Sequence, residues 1–134
     1  MDKQELVTEA VKARAHAYAP YSSFAVGAAL LGQSGRVYHG CNVENASYGA
    51  TICAERVALT KAVSEGETEF QALAVVCDTA EPVPPCGICR QVLAEFTPHM
   101  EITMATLTGT SETTRLDALY PNAFGEANLG GRGN

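Results

Sequence analysis

Apolar residues near the start of the chain recur at the spacing of an α-helix. Asp2 and Glu5 lie three residues apart, as in a capping box, where two side chains satisfy free backbone N–H groups at a helix start. The pattern predicts a first helix over about 2–18, ended by the Pro- and Ser-containing stretch AYAPYSS. The apolar positions are Leu6, Val7, Ala10, Val11, Ala13 and Ala17.

Two strand-like stretches follow. Residues 24–31 (FAVGAALL) and 36–43 (RVYHGCNV) flank the short connection GQSG, which suits a β-hairpin. After a stretch of turn composition, ENASYGAT, a helical pattern begins at about Cys53 and stops near Gly66. This part of the chain therefore predicts two paired strands and then a second helix.

The second half of the chain alternates strand and helix signals. Residues 70–77 (FQALAVVC) form a nearly continuous apolar run, which is typical of a strand buried on both faces. A third helix is predicted after this strand, ended by Pro98. A strand at 101–107 comes next, and then a weaker strand near 112–116. The stripe of the third helix that is expected to be buried is Ile88, Val92, Leu93 and Phe96.

The element order α β β α β α β β predicts an α/β fold. We expect one domain over 1–134, an α/β/α layered sandwich around a five-stranded mixed β-sheet, because the chain is long enough for a single core. The Gly-rich end of the chain, about 126–134, is expected to be a flexible tail.

Composition narrows the possible functions. The net charge is −6, from nine Lys and Arg against fifteen Asp and Glu, with no basic cluster for nucleic-acid phosphates. No apolar run approaches the roughly 20 residues of a membrane span, and the N-terminus lacks the apolar stretch of a signal peptide. A cytoplasmic protein with a small, uncharged ligand is expected, and its five cysteines should be reduced.

Cys86 and Cys89 form a Cys-x-x-Cys pair in PPCGICRQ, and the pair alone has three explanations. It can be half of a structural zinc site, a redox dithiol, or part of a catalytic metal centre. The redox explanation is weakened because the pair follows a long loop, and a closed zinc site needs two further ligands.

Cys53 offers a third thiol at a second predicted helix start. Helix N-termini favour thiolates through free N–H groups and the positive end of the helix dipole, and residues at i and i+3, such as Cys86 and Cys89, share one helix face. Three thiolates leave a fourth zinc position for water. Glu55 could carry protons there, although a solvated glutamate at a helix start remains an alternative.

The motifs as a whole resemble those of the zinc nucleoside deaminases. Cys53-Ala54-Glu55 followed by Pro85-Cys86-Gly87-Ile88-Cys89 is similar to that signature in its three-cysteine form. PYSSFAVGAAL, GCNVENASYG, CAERVAL, PCGICRQV and LYPNAFG extend the similarity from roughly residue 5 to residue 129. The pattern is similar to that of short-chain, homotetrameric cytidine deaminases.

The resemblance implies a reaction and a cofactor. The reaction is the hydrolytic deamination of cytidine and 2′-deoxycytidine to the uridines plus ammonia, in pyrimidine salvage. One Zn²⁺ per subunit is held by Cys53, Cys86 and Cys89, water activated by zinc attacks C4, and Glu55 is the proton shuttle. A homotetramer with active sites near subunit interfaces is also implied, as are the substrate-binding residues Phe24, Asn42, Glu44, Ala54, Tyr48 and Phe124.

Five of these residues have a simpler alternative. Phe24 could be a core residue, Tyr48 and Phe124 could be core or surface aromatics, and Asn42 and Glu44 could form a polar strand end. In the family, the corresponding Phe lies against the pyrimidine and the Asn/Glu pair binds ribose hydroxyls, while aromatic residues at positions 48 and 124 approach a neighbouring subunit's pocket.

Arg56, Cys41 and Cys77 complete the candidate residues. Because zinc with three thiolates carries a net charge of about −1, a guanidinium that donates to sulfur would offset it, and we assign this role to Arg56 over a plain surface charge. Cys41 and Cys77 match no ligand position and are expected to pack as small apolar residues.

Three other functions remain as competitors. One is a deaminase for another aminopyrimidine nucleoside, such as blasticidin S, whose family shares the CAE and PCxxC motifs. The second is a binding module that zinc stabilises without turnover. The third is a polynucleotide deaminase, which the −6 charge disfavours.

Overall fold

The computed structural model describes residues 1–130, and its first helix begins at the predicted capping box. Helix α1 spans Lys3–Arg14, with Asp2 and Glu5 each accepting a hydrogen bond from the other's backbone N–H. The helix ends earlier than the predicted residue 18, because Tyr18 instead forms an isolated β-bridge with Val43.

Five strands form one mixed sheet. β1 (Val26–Gly32) and β2 (Val37–Cys41) are the predicted antiparallel hairpin. β3 (Phe70–Cys77) pairs antiparallel with β1 and parallel with β4 (Glu101–Thr106), which in turn pairs antiparallel with β5 (Ser111–Arg115). The strand order β2-β1-β3-β4-β5 confirms the predicted five-stranded mixed sheet.

Helices α2 (Ala54–Ser64) and α3 (Gly87–Phe96) occupy the predicted intervals between strands. A four-residue helix, α4 (Leu116–Leu119), was not predicted. Two short 3₁₀ helices lie at Tyr48–Ala50 and Glu126–Leu129. The second of them falls within the stretch expected to be a flexible tail, and the last part of that stretch, 131–134, lies outside the described residues.

The two faces of the sheet carry separate cores, as the two-residue period of strands requires. On one face α1 packs through Leu6, Val7 and Ala10. On the other face α2 and α3 pack through a second set of buried residues, which includes Ala58 and Leu93. Alternating positions of β1 divide between the cores, with Ala28 and Leu30 facing α2 and α3, and Ala29 and Leu31 facing α1. The α/β/α layering is confirmed.

Three residues of the predicted apolar stripes are exposed. Val11 is 41% exposed, Ile88 62% and Phe96 36%. In α3 the fully buried positions are Cys89 and Leu93, four residues apart, so Ile88 lies off the helix face that meets the core. The prediction that Ile88 is buried was therefore wrong for this chain by itself.

Among residues 1–130, no helix combines the length and the apolar character needed to cross a membrane.

Candidate metal centre and active site

The starts of α2 and α3 place three cysteines together. Cys53 and Cys86 are the N-cap residues of the two helices, both in extended backbone conformation and neither using its side chain as a helix cap. Cys89 lies one turn into α3 and is buried. Gly40 of β2 allows α2 to approach the sheet closely, since a Cβ there would lie 2.2 Å from the main-chain oxygen of Ala54.

The three sulfur atoms have the spacing of a zinc site. Sγ of Cys86 lies 3.8 Å from Sγ of Cys53 and 3.4 Å from Sγ of Cys89, and all three lie within 4.8 Å of one another. Zn–S bonds of about 2.3 Å at tetrahedral angles would separate sulfurs by about 3.8 Å. In the described part of the chain no other His, Cys or carboxylate joins this group. Three thiolates fit zinc and leave one coordination position for another ligand.

Arg56 supplies positive charge to the cluster. Its Nη2 donates to Sγ of Cys53 at 3.4 Å and to the main-chain oxygen of Thr51 at 3.4 Å. Nε of Arg56 is buried without a hydrogen-bond partner among the described residues, so the guanidinium is held beside the sulfur at some cost in solvation. This contact is the one that sequence reasoning assigned to Arg56.

The pKa values of the Cys53 and Cys89 thiols are shifted in opposite directions. Hydrogen bonds from Cys89 and Arg56 lower the pKa of Cys53 to about 5, against the opposing effect of burial. The pairing with Cys53 and burial raise the pKa of Cys89. Like charges disfavour a second thiolate next to the first, so a divalent cation is needed to ionise the whole cluster. The donor set therefore fits a zinc ion both in geometry and in charge.

Glu55 is a buried carboxyl beside the sulfurs. It is 5% exposed, and burial raises its pKa to about 7, with the negative charge of Cys53 adding to the shift. The sequence alternative of a solvated glutamate at the helix start is excluded by this burial. A carboxyl whose pKa lies near neutrality can both take up and release a proton.

A cavity of about 190 Å³ brings the cluster and the predicted substrate residues together. Cys53, Glu55 and Cys86 form its metal side, and Phe24 and Asn42 also line it. The other lining residues are Val26, Thr51, Ala54, Val75, Cys77, Val83 and Pro84. Cys77 thus lines the cavity although sequence reasoning gave it only a packing role, and burial raises its pKa to about 11. Its place at the end of β3 was the available signal.

Glu44 and Tyr48 line a second hollow of about 340 Å³, which shares Thr51 with the first. Backbone pairing of Val43 with both Tyr18 and Ile52 holds this strand end next to Cys53. The structure therefore brings these two residues to the neighbourhood of the metal cavity and not into it.

Phe124 lines neither cavity. It is 54% exposed, and its main-chain oxygen accepts a hydrogen bond from Nε2 of Gln91 at 3.0 Å. Arg90, to which the sequence assigned no role, donates from Nε to the main-chain oxygen of Pro85 at 2.9 Å and from Nη1 to that of Leu119 at 2.8 Å. α3 thus anchors the segment that carries Phe124.

Comparison with known proteins agrees with this site. Residues 1–106 match the family model described as the cytidine and deoxycytidylate deaminase zinc-binding region. The cytidine deaminase of Sporosarcina psychrophila is 53% identical over 96% of this chain and 96% of its own length, and that of Halalkalibacterium halodurans is 54% identical over 92% and 95%.

Solved structures show the same fold. The crystal structure of cytidine deaminase from Burkholderia pseudomallei superposes with a TM-score of 0.90 at 49% identity, covering 92% of this chain and all of that one. Cytidine deaminase from Mycobacterium tuberculosis gives a TM-score of 0.81 at 44% identity, over 93% of this chain and 98% of that one. The fold, the three-cysteine cluster and these similarities together establish that the chain belongs to the cytidine and deoxycytidylate deaminase family with its zinc-binding region.

Proposed function

We propose that this protein is a zinc-dependent cytidine deaminase, which hydrolyses cytidine and 2′-deoxycytidine to uridine and 2′-deoxyuridine plus ammonia. One observation carries the proposal: a buried carboxyl, Glu55, shares a cavity with the metal-binding sulfurs of Cys53 and Cys86. A metal site that only stabilised the fold would have no use for a buried carboxyl beside an open coordination position.

Zinc held by Cys53, Cys86 and Cys89 supplies Lewis acidity, which lowers the pKa of water towards neutrality. Glu55 takes a proton from the water that attacks C4 of the pyrimidine and delivers it to N3. The same carboxyl then takes the remaining proton from the new C4 hydroxyl and passes it to the amino group, so that the C4–N bond breaks, ammonia leaves and the C4 carbonyl of the uridine forms. Burial supports this double role, because it raises the pKa of Glu55 to about 7 and makes both protonation states accessible.

The remaining cavity residues bind and orient the nucleoside. Phe24 offers an aromatic face to the pyrimidine ring, and Ala54 forms part of the wall. Asn42 and Glu44 bind the sugar hydroxyls from the end of β2, close to the metal side of the site.

The lining of the two hollows favours a nucleoside over a nucleotide. Among the described residues neither hollow is lined by a lysine or arginine, and the second contains the carboxylate of Glu44. The pKa of Glu44 is lowered, chiefly by a hydrogen bond from Ser22, so that carboxylate would repel a substrate phosphate. A polynucleotide substrate is disfavoured for the same reason.

The proposal includes a homotetramer in the cytoplasm, acting in pyrimidine salvage. Tyr48 is 76% exposed, and Ile88 and Phe124 are also exposed apolar side chains. Exposed aromatic and aliphatic side chains are typical of surfaces that a partner covers. Tyr48 and Phe124 would then complete a site in a neighbouring subunit.

An ammonia-release assay tests the proposal directly. Cytidine, deoxycytidine, CMP, adenosine and blasticidin S are each incubated with the zinc-loaded protein, with and without a chelator. We expect turnover of cytidine and deoxycytidine alone, its loss with chelator, and its recovery when zinc is restored. Turnover of CMP without cytidine, or of blasticidin S in preference to it, would refute the assignment.

A further inference from the structure

The segment from Tyr21 to Val26, which connects α1 to β1, forms one side of the substrate cavities. Tyr21 and Ser22 line the hollow that contains Glu44, and Phe24 and Val26 line the one that contains the metal cluster. Between them Ser23 has φ of +58°, in the left-handed region that non-glycine residues seldom occupy. Such a conformation persists only when surrounding contacts hold it.

Two side chains from the end of β2 supply those contacts. Asn42 accepts from the backbone N–H of Val26 at 2.9 Å and donates to the main-chain oxygen of Phe24 at 2.7 Å. Oε1 of Glu44 accepts from the N–H groups of Tyr21 at 3.0 Å and Ser22 at 3.1 Å. The residues proposed to bind the sugar therefore also hold the segment in place.

The hydroxyl of Ser22 joins these contacts. Its Oγ donates to Oε2 of Glu44 and accepts from the backbone N–H of Phe24 at 3.0 Å. One atom thus contacts both the carboxylate that faces the second hollow and the backbone of the aromatic residue in the first. Among the hydrogen bonds of residues 1–130, the Ser22 hydroxyl is the one that joins Glu44 to the backbone of Phe24.

Glu44 keeps capacity for a substrate in this arrangement. A carboxylate has about four acceptor positions, and three are taken by Tyr21 N–H, Ser22 N–H and the Ser22 hydroxyl. One position, on Oε2, remains for a sugar hydroxyl. The donor hydrogen bond from Ser22 also favours the ionised carboxylate, which is the stronger acceptor.

We propose that Ser22 is a positioning residue, which couples the sugar-binding carboxylate of Glu44 to the base-contacting ring of Phe24. Its hydroxyl fixes the distance between the Glu44 carboxylate and the Phe24 ring before the nucleoside binds. The inference rests on the proposed function, since Glu44 and Phe24 must touch the substrate for the coupling to matter. Ser22 itself touches no reacting atom, so its effect falls on binding and leaves the chemical step unchanged.

The chain contains a matched control for this arrangement. Ser34 donates through Oγ to Glu67 at 2.7 Å, donates through its N–H to the same carboxylate at 2.8 Å, and accepts from the N–H of Arg36 at 3.2 Å. This is the same set of three contacts, in the β1–β2 connection, and the hollow that it lines shares no residue with the two substrate hollows.

The test compares Ser22→Ala with Ser34→Ala in the zinc-loaded protein. We expect Ser22→Ala to raise KM for cytidine roughly tenfold, the cost of a hydrogen bond to a charged group, with kcat changed less than about twofold. Ser34→Ala should leave both constants unchanged, although it removes the same kinds of bond. Ser22→Thr, which keeps the hydroxyl, should restore the wild-type KM.

A second measurement does not depend on activity. Amide hydrogen exchange at Phe24 should accelerate in Ser22→Ala and return to the wild-type rate in Ser22→Thr, because Ser22 Oγ protects that N–H. If Ser22→Ala does not fold, Ser22→Cys, a weaker donor and acceptor, should show the same changes at smaller size.

The outcomes separate the two proposals. If the wild-type protein does not deaminate cytidine, while Ser22→Ala still accelerates exchange at the Phe24 amide, the proposed function is refuted. The hydrogen bond from the Phe24 N–H to the Ser22 hydroxyl is then supported independently of activity. An active wild type whose Ser22→Ala variant keeps its KM, or loses kcat instead, refutes the positioning role of Ser22.

Discussion

Helices α2 and α3, which position the metal-binding cysteines, begin with the same backbone geometry but contribute differently to the site. Cys53 and Cys86 are N-caps with similar backbone angles, φ −72° and ψ 156° for the first, φ −66° and ψ 169° for the second. Each cysteine is followed within about one turn by an arginine, Arg56 or Arg90. The local sequence thus builds two helix starts of the same backbone geometry, each with a cysteine at the N-cap.

The residue two positions after each N-cap shows the difference. On α2 it is Glu55, a carboxyl that is 5% exposed; on α3 it is Ile88, an apolar side chain that is 62% exposed. The free energy of transfer from water to the protein interior alone favours a buried isoleucine and an exposed glutamate, which is the opposite of what is found. The cost of burying Glu55 is understandable if its proton chemistry is required, and the exposure of Ile88 fits the subunit contact that we propose.

The arginines of the two helices also differ in what they contact. Arg56 donates to a ligand sulfur, whereas Arg90 donates to two main-chain oxygens, those of Pro85 and Leu119. α2 therefore provides the electrostatics of the site, and α3 provides two ligands and the attachment of the C-terminal segment. Three substitutions test this division.

The largest effect is expected from Glu55→Gln, which keeps the side-chain shape and removes the proton carrier. Turnover of cytidine should fall by roughly 10²–10⁴-fold. Zinc content, measured by atomic absorption, should stay at the wild-type level, because Glu55 lies outside the three-sulfur cluster. Glu95→Gln makes the same change at an exposed site of α3 and should leave turnover unchanged. Near-normal turnover of Glu55→Gln would show that another group carries the proton.

A smaller effect is expected from Arg56→Gln. Removing a side chain that orients or charges a metal ligand typically costs about 10–100-fold in activity or metal affinity. Arg56→Lys, which keeps a charge but loses the fixed guanidinium geometry, should fall between wild type and Arg56→Gln.

Arg56→Gln should also shift a measurable pKa in zinc-free protein. Hydrogen bonds from Cys89 and, to a smaller extent, Arg56 lower the pKa of Cys53 to about 5, so the thiolate predominates above that pH. Alkylation of Cys53 by iodoacetamide, followed by peptide mass spectrometry, should therefore be rapid at neutral pH in wild type and slower in Arg56→Gln, whose thiol is protonated to a higher pH. Cys41 in the same samples is the control. An unchanged Cys53 rate would mean that the neighbouring thiols of Cys89 and Cys86 stabilise the thiolate without Arg56.

Much of the fold follows from local sequence signals, and the exceptions have physical causes. The run 70–77 coincides with β3, and the GQSG connection produces the predicted hairpin, because both signals are local. Helix α4 escaped prediction because four residues contain no helical period. Ile88 was placed in the core because helical spacing does not show which arc of a helix meets the sheet.

Some features of the candidate site were likewise predictable from the sequence, and others were not. The spacing of Cys86 and Cys89 and the position of Cys53 at a helix start predicted a cluster that the structure contains. The burial of Glu55 was not predictable, since it depends on how α2 packs on the sheet. The contacts of Ser22 with Glu44 were also invisible, because they join residues 22 positions apart through a left-handed turn at Ser23.

The smallest effect on catalysis is expected from Arg90→Gln, which should act on stability. It removes two charged hydrogen bonds to main-chain oxygens, at a cost of about 2–3 kcal/mol in the free energy of unfolding. Thermal denaturation should show a Tm lower by roughly 5–10 °C, while turnover well below Tm stays close to wild type. Arg115→Gln, which breaks only an exposed ion pair with Asp117, should change Tm little. If Arg90→Gln instead lost turnover as Arg56→Gln does, with Tm unchanged, both arginines would serve the metal site and the division between the two helices would fail.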